Sequence, residues 1–561
     1  MKRGGRRSKH KRREIDLGTL HAIVEQARSA LSEEQHAILK GAVDTLAEVT
    51  AELERKGVSI RRLRNLLFGA STERTDKVLG EQAGSGEGTN KEAEGGEGAA
   101  KDHGTQAEDR LGGEKKRKGH GRNGADAYHG AERLMVRHGS LSHGDRCPLC
   151  QRGNVYLQHD PRSLIRVTGM APLSAKVYEL ERLRCGACGE VFTAKSPAGV
   201  GEEKYDESVP AMVAMLKYGA GVPFYRLEKL QRNLGIPLPA ATQWELVRDA
   251  CELLAPVHDE MIRQAAQGEL VQNDDTKMKI LELIASRPED PVSDPDSGQR
   301  RGVYTTGILS KVGEQRIALF FTGLHHAGEN LERVLRERAS TLGPPIQMSD
   351  GLSHNTAGDF ETIEVNCIVH ARRYFVDVAP NFPAECRVVL ETLREVYRTD
   401  ARARCQQMND NERLCLHQAE SGPRMDHLQK WLDEQINDKK VEPNSGLGEA
   451  IQYMQKHWEK LTRSLVVAGA PLDNNLLEQA LKRAILHRKN ALFYKTQNGA
   501  AVGDRFMSMI HSAELAGVNP FDYLVALLRH PKHVAEDPSQ WMPWNYRETL
   551  ARIAAEPGPD P

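Results

Sequence analysis

Five short runs rich in aliphatic and β-branched residues lie between positions 269 and 368, and one amphipathic segment divides them three to two. The runs are Glu269–Asn273, Gly302–Leu309, Gln315–Thr322, Ile346–Ser349 and Thr362–Ile368, and the helical pattern spans about Ala327 to Ser340. Three strands, a helix and further strands form an α/β order, which predicts a sheet with helices packed on it. Residues 383–470 then carry almost entirely helical periodicity, and a last helical region runs from 473 to about 530.

The rest of the chain divides by pattern. Residues 16–78 read as helix, with Leu39, Leu46, Leu53 and Ile60 seven apart and Ala42, Val49 and Leu63 between them. That pattern fits self-association through a coiled coil, and equally an antiparallel helical hairpin. Residues 80–125, rich in Gly, Glu, Lys and Ala, have no periodicity and are expected to form a disordered linker. Residues 126–200 are short and strand-like. From 206 to 265 three short helices with tight turns fit a helix-turn-helix module or a small bundle. The Pro- and Gly-bearing tail, 551–561, is expected to fray.

Net charge is only −1 over 561 residues, so the whole chain is no basic DNA-coating protein. Two dense runs of cations occur, at Lys2–Arg13 and at Lys115–Lys118. Such runs release counterions from a phosphate backbone, although solvated tails carry them too. No run of about 18 apolar residues occurs, so no membrane span is expected. A basic N-terminus with no apolar stretch behind it is no secretory signal, and nine cysteines without a disulfide framework suit a reducing, cytoplasmic compartment.

Four cysteines fall in two CxxC pairs, Cys147-Pro-Leu-Cys150 and Cys185-Gly-Ala-Cys188. Each pair can present two thiolates to one tetrahedral ion, so together they predict one structural Zn2+. The 34 residues between the pairs exceed the roughly 15–20 of a compact ribbon and imply a projecting strand pair. A redox dithiol is the alternative.

Four acids stand out. Asp274 and Asp275 end one strand-like run, Asp350 ends another, and Glu478 shares a helix face with Leu481 and Ile485. A carboxylate on an apolar stripe is costly unless paired or metal-bound. Asp274, Asp350 and Glu478 together would hold two Mg2+ (or Mn2+) ions about 3.5–4 Å apart, which is the constellation of two-metal phosphoryl transfer. Taken singly, each acid is equally a cap or surface charge, and Asp473 is an N-cap candidate. Lys482, Arg488 and Lys489 could neutralise phosphate or form a solvated face.

Together these residues resemble the insertion-sequence-66 transposase family over nearly the whole chain. The resemblance is carried by LRNLLFGASTERTDK (63–77), the two CxxC pairs, KYGAGVPFYRLEKL (217–230), NDDT, SDG, DNNLLEQALKRAILHRKNALF, GVNPFDYL (517–524) and WMPWNY (541–546). It implies a multidomain α/β plus α protein. A ribonuclease-H-like core at 266–382 and 471–530 would be interrupted by a helical insertion at 383–470. Before it would come a basic arm (1–15), N-terminal helices (16–79), a linker (80–125), a zinc-binding domain (126–200) and a helical segment (201–265), and after it a C-terminal segment (531–561). The spacing agrees: 76 residues separate Asp274 from Asp350, and 128 separate Asp350 from Glu478. Cys367-Ile-Val-His370 is similar to the CxxH signature of insertion-bearing cores; from its residues alone it reads as packing or hydrogen bonding beside the active site. Asp275 stands where the family commonly has Glu, and DGLSHN departs from a commoner aromatic.

The resemblance implies a nucleoid-associated enzyme that binds terminal inverted repeats and target DNA, as a homo-oligomer, with accessory proteins of the same element as further partners. The alternatives are a catalytically silent, transposase-derived DNA-binding repressor and a nuclease that cuts without joining. A silent relic is expected to have lost an acid, and this chain keeps all three.

Overall fold

A computed structural model describes residues 17–41, 43–44, 75, 140–156, 171–184, 191–195, 197, 203–285 and 302–555. The basic runs, the linker, most of the heptad pattern, Cys185 and Cys188 lie outside the described residues. The chain divides into two units, residues 86–172 and the remainder. No helix among the described residues is long and apolar enough to cross a membrane.

In the larger unit, helix α1 covers Leu17–Gln26, and strands β1 (Arg182–Arg184) and β2 (Val191–Thr193) pair antiparallel, Arg184 opposite Val191. Helices α2 (Ser208–Ala214), α3 (Phe224–Asn233), α4 (Ala240–Leu253) and α5 (Ala255–Ala265) follow. Pro223 opens α3, and Gly235, at φ +77°, turns the chain after it. Val247 of α4 and Met261 of α5 are buried in the same apolar core as the sheet.

The sheet has the order β5-β4-β3-β6-β7, with β3 at Leu270–Lys277, β4 at Tyr304–Val312, β5 at Gln315–Gly323, β6 at Ile346–Ser349 and β7 at Ile363–Asn366. β3, β4 and β5 form an antiparallel meander, whereas β6 runs parallel to β3 and β7 parallel to β6. A parallel neighbour needs a crossover, and α6 (Ala327–Leu335) supplies it between β5 and β6. The five strands match the five sequence runs. β3, however, continues three residues past Asp274, because Asp275, Thr276 and Lys277 keep pairing with β4. On its other side the pairing with β6 stops at Gln272.

β5 is an edge strand, and a helix covers it. The N–H groups of Ala318, Phe320 and Thr322 donate to Ser512, Ser508 and Asp504 of α12 (Gln497–Leu515), at 3.0, 3.0 and 2.6 Å. Four helical residues rise about 6 Å and two strand residues about 6.6 Å, so the two repeats match over this span. Orphan edge donors are thereby satisfied internally.

After β7 come α7 (Ile368–Val378), α8 (Pro383–Cys405), α9 (Asp410–Asn437) and α10 (Gly446–Lys456). Phe375, Leu393, Leu428, Leu432 and Ile451 form their own apolar cluster, distinct from the sheet's. Asn409 caps α9 by accepting from Asn411 and Glu412 N–H. Asp400 joins α8 to α9 by accepting from Arg413 at 2.7 Å. Helix α11 (Asn475–Ala491) then returns to β3 and β4, followed by α12, α13 (Pro520–Arg529) and α14 (Tyr546–Ala555). Residues 551–555, expected to fray, are helical: Tyr546 and Thr549 are buried, and Leu550 and Ile553 pack on the core.

Candidate active site

Strand alternation separates Asp274 from Asp275. Asp274 lies opposite Gly307 in the β3–β4 register, and Asp275 opposite Thr306. A Cβ at Gly307 would come within 2.9 Å of the Leu481 side chain and 3.1 Å of Leu477, both on α11. Gly307 therefore lets α11 approach the face of the sheet that carries Asp274. Asp275 belongs to the other face. It accepts from Thr306 Oγ1 at 2.6 Å and from the Ala327 N–H, at the start of α6, at 2.9 Å.

Burial pushes the Asp274 carboxyl up to about 7, and the negative charges of Asp350, Asp275 and Glu478 add to it, against a lowering hydrogen bond from the Asp275 N–H. Three acids far apart in sequence thus share one electrostatic neighbourhood. In the absence of a cation they cannot all ionise at ordinary cost.

Asp350 follows β6 directly, and the loop around it is heavily tied. Gly351 takes φ +84°. Asp350 Oδ1 accepts from Asn355 Nδ2 at 2.6 Å and from the Leu352 N–H at 3.0 Å. The carbonyl of Asn355 in turn receives Asn273 Nδ2 at 2.7 Å and Gln347 Nε2 at 2.6 Å. Buried amides of β3 and β6 thereby hold the loop that aims the carboxylate. From α10, Tyr453 Oη donates to the Asp350 carbonyl, and Lys460, in the short turn of helix after α10, pairs with Glu364 of β7.

Glu478 is in the first turn of α11, whose N-cap is Asn474; Asp473 instead accepts from the Asn475 N–H at 3.1 Å. Glu478 Oε1 is buried with no hydrogen-bond partner and lies 3.8 Å from His370 Nε2. Cys367, His370 and Glu478 have ligand atoms within 4.8 Å of one another. Cys367 precedes α7, and burial pushes its thiol up to about 12. The CxxH pair therefore meets the third acid directly, across a separation that sequence spacing does not reveal.

The other candidates are distributed differently. Lys482, one turn beyond Glu478, is exposed, as is Lys489. Arg488 is engaged by Thr276 Oγ1 at 3.2 Å and by the Lys277 carbonyl, so it braces α11 against β3. In the smaller unit, Cys147 and Cys150 lie in a tight turn: Cys147 N–H donates to Gly153 at 2.8 Å, and Gln151, at φ 52°, donates to Cys147 at 2.9 Å. Backbone N–H groups of Gly153 and Arg152, then the Cys147 side chain, lower the Cys150 thiol from its ordinary value. Cys185 and Cys188 lie in sequence between β1 and β2, outside the described residues. Asn355, Gln347, Gly307 and Tyr453 were not singled out by sequence; only Asn355 had a signal, as the last residue of DGLSHN.

Comparison with known proteins gives a match between residues 203–502 and the family described as "Transposase IS66 family". That span holds all three acids. An uncharacterized protein of Sinorhizobium fredii, y4jD, is 25% identical over 392 residues, covering 67% of this chain and 73% of its own length. Two more uncharacterized proteins of that organism, y4qI and y4hP, are each 23% identical, over 359 and 409 residues. These alignments cover 61% and 68% of this chain, and 62% and 70% of the relatives.

Proposed function

The chain belongs to the IS66 transposase family, and from that premise we propose that it binds the ends of an insertion sequence and cleaves and joins DNA strands at Asp274, Asp350 and Glu478. The observation that carries this reading is the electrostatic convergence of the three acids on Asp274. The topology supports a ribonuclease-H-like core: an antiparallel meander, a crossover helix and two parallel strands, with α8–α10 inserted before the helix that bears the last acid.

The donor set fits hard divalent cations. It is all oxygen, its charges repel one another, and Glu478 Oε1 is buried without a hydrogen-bond partner. Two Mg2+ or Mn2+ ions held by the three acids would activate the attacking oxygen and stabilise the leaving one. The surrounding residues set the geometry. Asn355 orients the Asp350 carboxylate, Tyr453 fixes its backbone, and Gly307 lets Glu478 approach the strand. Lys482 is free of those duties and suits a DNA phosphate.

The four cysteines hold one structural Zn2+ in this reading. Its support is the paired spacing, the turn at Cys147–Cys150, and the β1–β2 pairing that flanks the second pair. Partners are terminal repeats, target DNA and further copies of this chain on that DNA, in the nucleoid, with accessory proteins of the same element. The test is strand-resolved cleavage of duplexes bearing the element's ends in Mg2+. Wild-type protein should cut and join, and a silent repressor would bind without cutting.

A further inference from the structure

We propose that Asp275, His326 and His354 form a second, chemically distinct metal site that takes Zn2+ in preference to Mg2+, on the face of β3 turned away from Asp274. The proposal stands on local geometry and does not require the transposase reading.

The three side chains come from three separated segments: β3, the residue before α6, and the short turn after Asp350. Their ligand atoms all lie within 4.8 Å of one another. His326 Nδ1 is 3.0 Å from Asp275 Oδ2, and the His326 and His354 rings are 4.7 Å apart between centroids. Two ligands about 2.0–2.1 Å from a tetrahedral ion are about 3.4 Å apart, so small side-chain rotations would close the site. Thr306 occupies one lone pair of Asp275 Oδ1, and Ala327 N–H one of Oδ2, leaving the carboxylate capacity for a cation. An ion there takes the place of the proton between His326 Nδ1 and Asp275 Oδ2, and that proton leaves to solvent.

Two imidazoles and one carboxylate suit zinc-like ions, whereas Mg2+ favours all-oxygen sets. His354 is exposed, so further coordination positions open to solvent. The scaffold is closely packed here: a Cβ at Gly328 would come within 2.0 Å of the Thr356 carbonyl and 2.8 Å of that of His354. The start of α6 and the His354 turn are thus in backbone contact. Asp275 adjoins Asp274, and His354 is four residues beyond Asp350. An ion in this site would therefore clamp together the two segments that carry the first two acids.

The test counts zinc by equilibrium dialysis on the full-length chain, with Mg2+ in excess. Wild-type protein should hold one more zinc per chain than His354→Ala, whatever other zinc it carries, because His354 is exposed and its loss leaves the fold intact. His326→Ala should lose the same ion, while Asp274→Asn, His370→Ala and Cys147→Ser should keep it. Equal zinc in wild type and His354→Ala would overturn the site. So would loss of that ion in Asp274→Asn, which would assign it to the three acids.

Discussion

The Tyr453 hydroxyl donates to the main-chain carbonyl of Asp350 at 2.9 Å, joining α10 of the helical insertion to an acid 103 residues earlier in the chain. The ring is held independently, stacked on Tyr374 with centroids 4.5 Å apart. Tyr453→Phe should therefore remove the tether alone. A neutral hydrogen bond contributes about 1 kcal/mol, so cleavage should slow by roughly fivefold. Binding to DNA ends and the melting temperature should change little. Rates and melting curves on one preparation separate this from a general loss of fold.

Gly307 controls how closely α11 lies on the sheet. Gly307→Val should overpack against Leu477 and Leu481 and destabilise the protein by about 1–3 kcal/mol, read from the denaturant midpoint. Adding Leu481→Ala should recover part of the loss, because it vacates the space the new side chain needs.

Asp504 predicts a pH dependence. Burial pushes its carboxyl up to about 7 from an ordinary 3.8, against lowering hydrogen bonds from Thr322. A raised pKa means that the folded state binds the proton more tightly than the unfolded state. Its contribution is complete below about 4 and is lost as pH rises through about 7. In metal-free protein the Asp504 contribution should accordingly fall from pH 4 toward 7, against the opposite slope of His487, whose imidazole burial pushes down to about 3. Asp274 adds a slope of the same sign as Asp504. Asp504→Asn should remove its share of the fall, as thermal melting across that range would record.

Zinc bound by Cys147, Cys150, Cys185 and Cys188 should organise residues 140–195. Cys147→Ser with Cys185→Ser should lower the zinc content by one ion per chain and expose that region to protease. Unchanged zinc in the double variant would exclude the four-cysteine site.

Local pattern made much of the core legible. β6 was bounded to the residue, since Pro345 precedes it and Asp350-Gly351 ends it. Helix α6 stops at Leu335 rather than continuing to Ser340. Arg338 instead donates to the carbonyls of Ala266, Gly268 and Gly343, which holds the chain out of the helix. Alternation along β3 was enough to assign Asp274 and Asp275 to opposite faces. It did not reveal that Asp275 gathers Thr306, His326 and Ala327, so Asp275→Ala should be costly in stability even though it spares the three acids. Gly307 against α11 and Tyr453 against Asp350 depend on tertiary approach, which no window of sequence encodes.

The central claim is that Asp274, Asp350 and Glu478 act as one site, and cleavage by single variants tests it most directly. Asp274→Asn, Asp350→Asn and Glu478→Gln should be purified beside wild type and assayed on duplexes carrying the element's ends, with Mg2+ and strand-resolved products. End binding should be measured on the same preparations. The account predicts that each variant binds the ends as wild type does and cuts no faster than background. Wild-type cleavage by folded Glu478→Gln protein would contradict it.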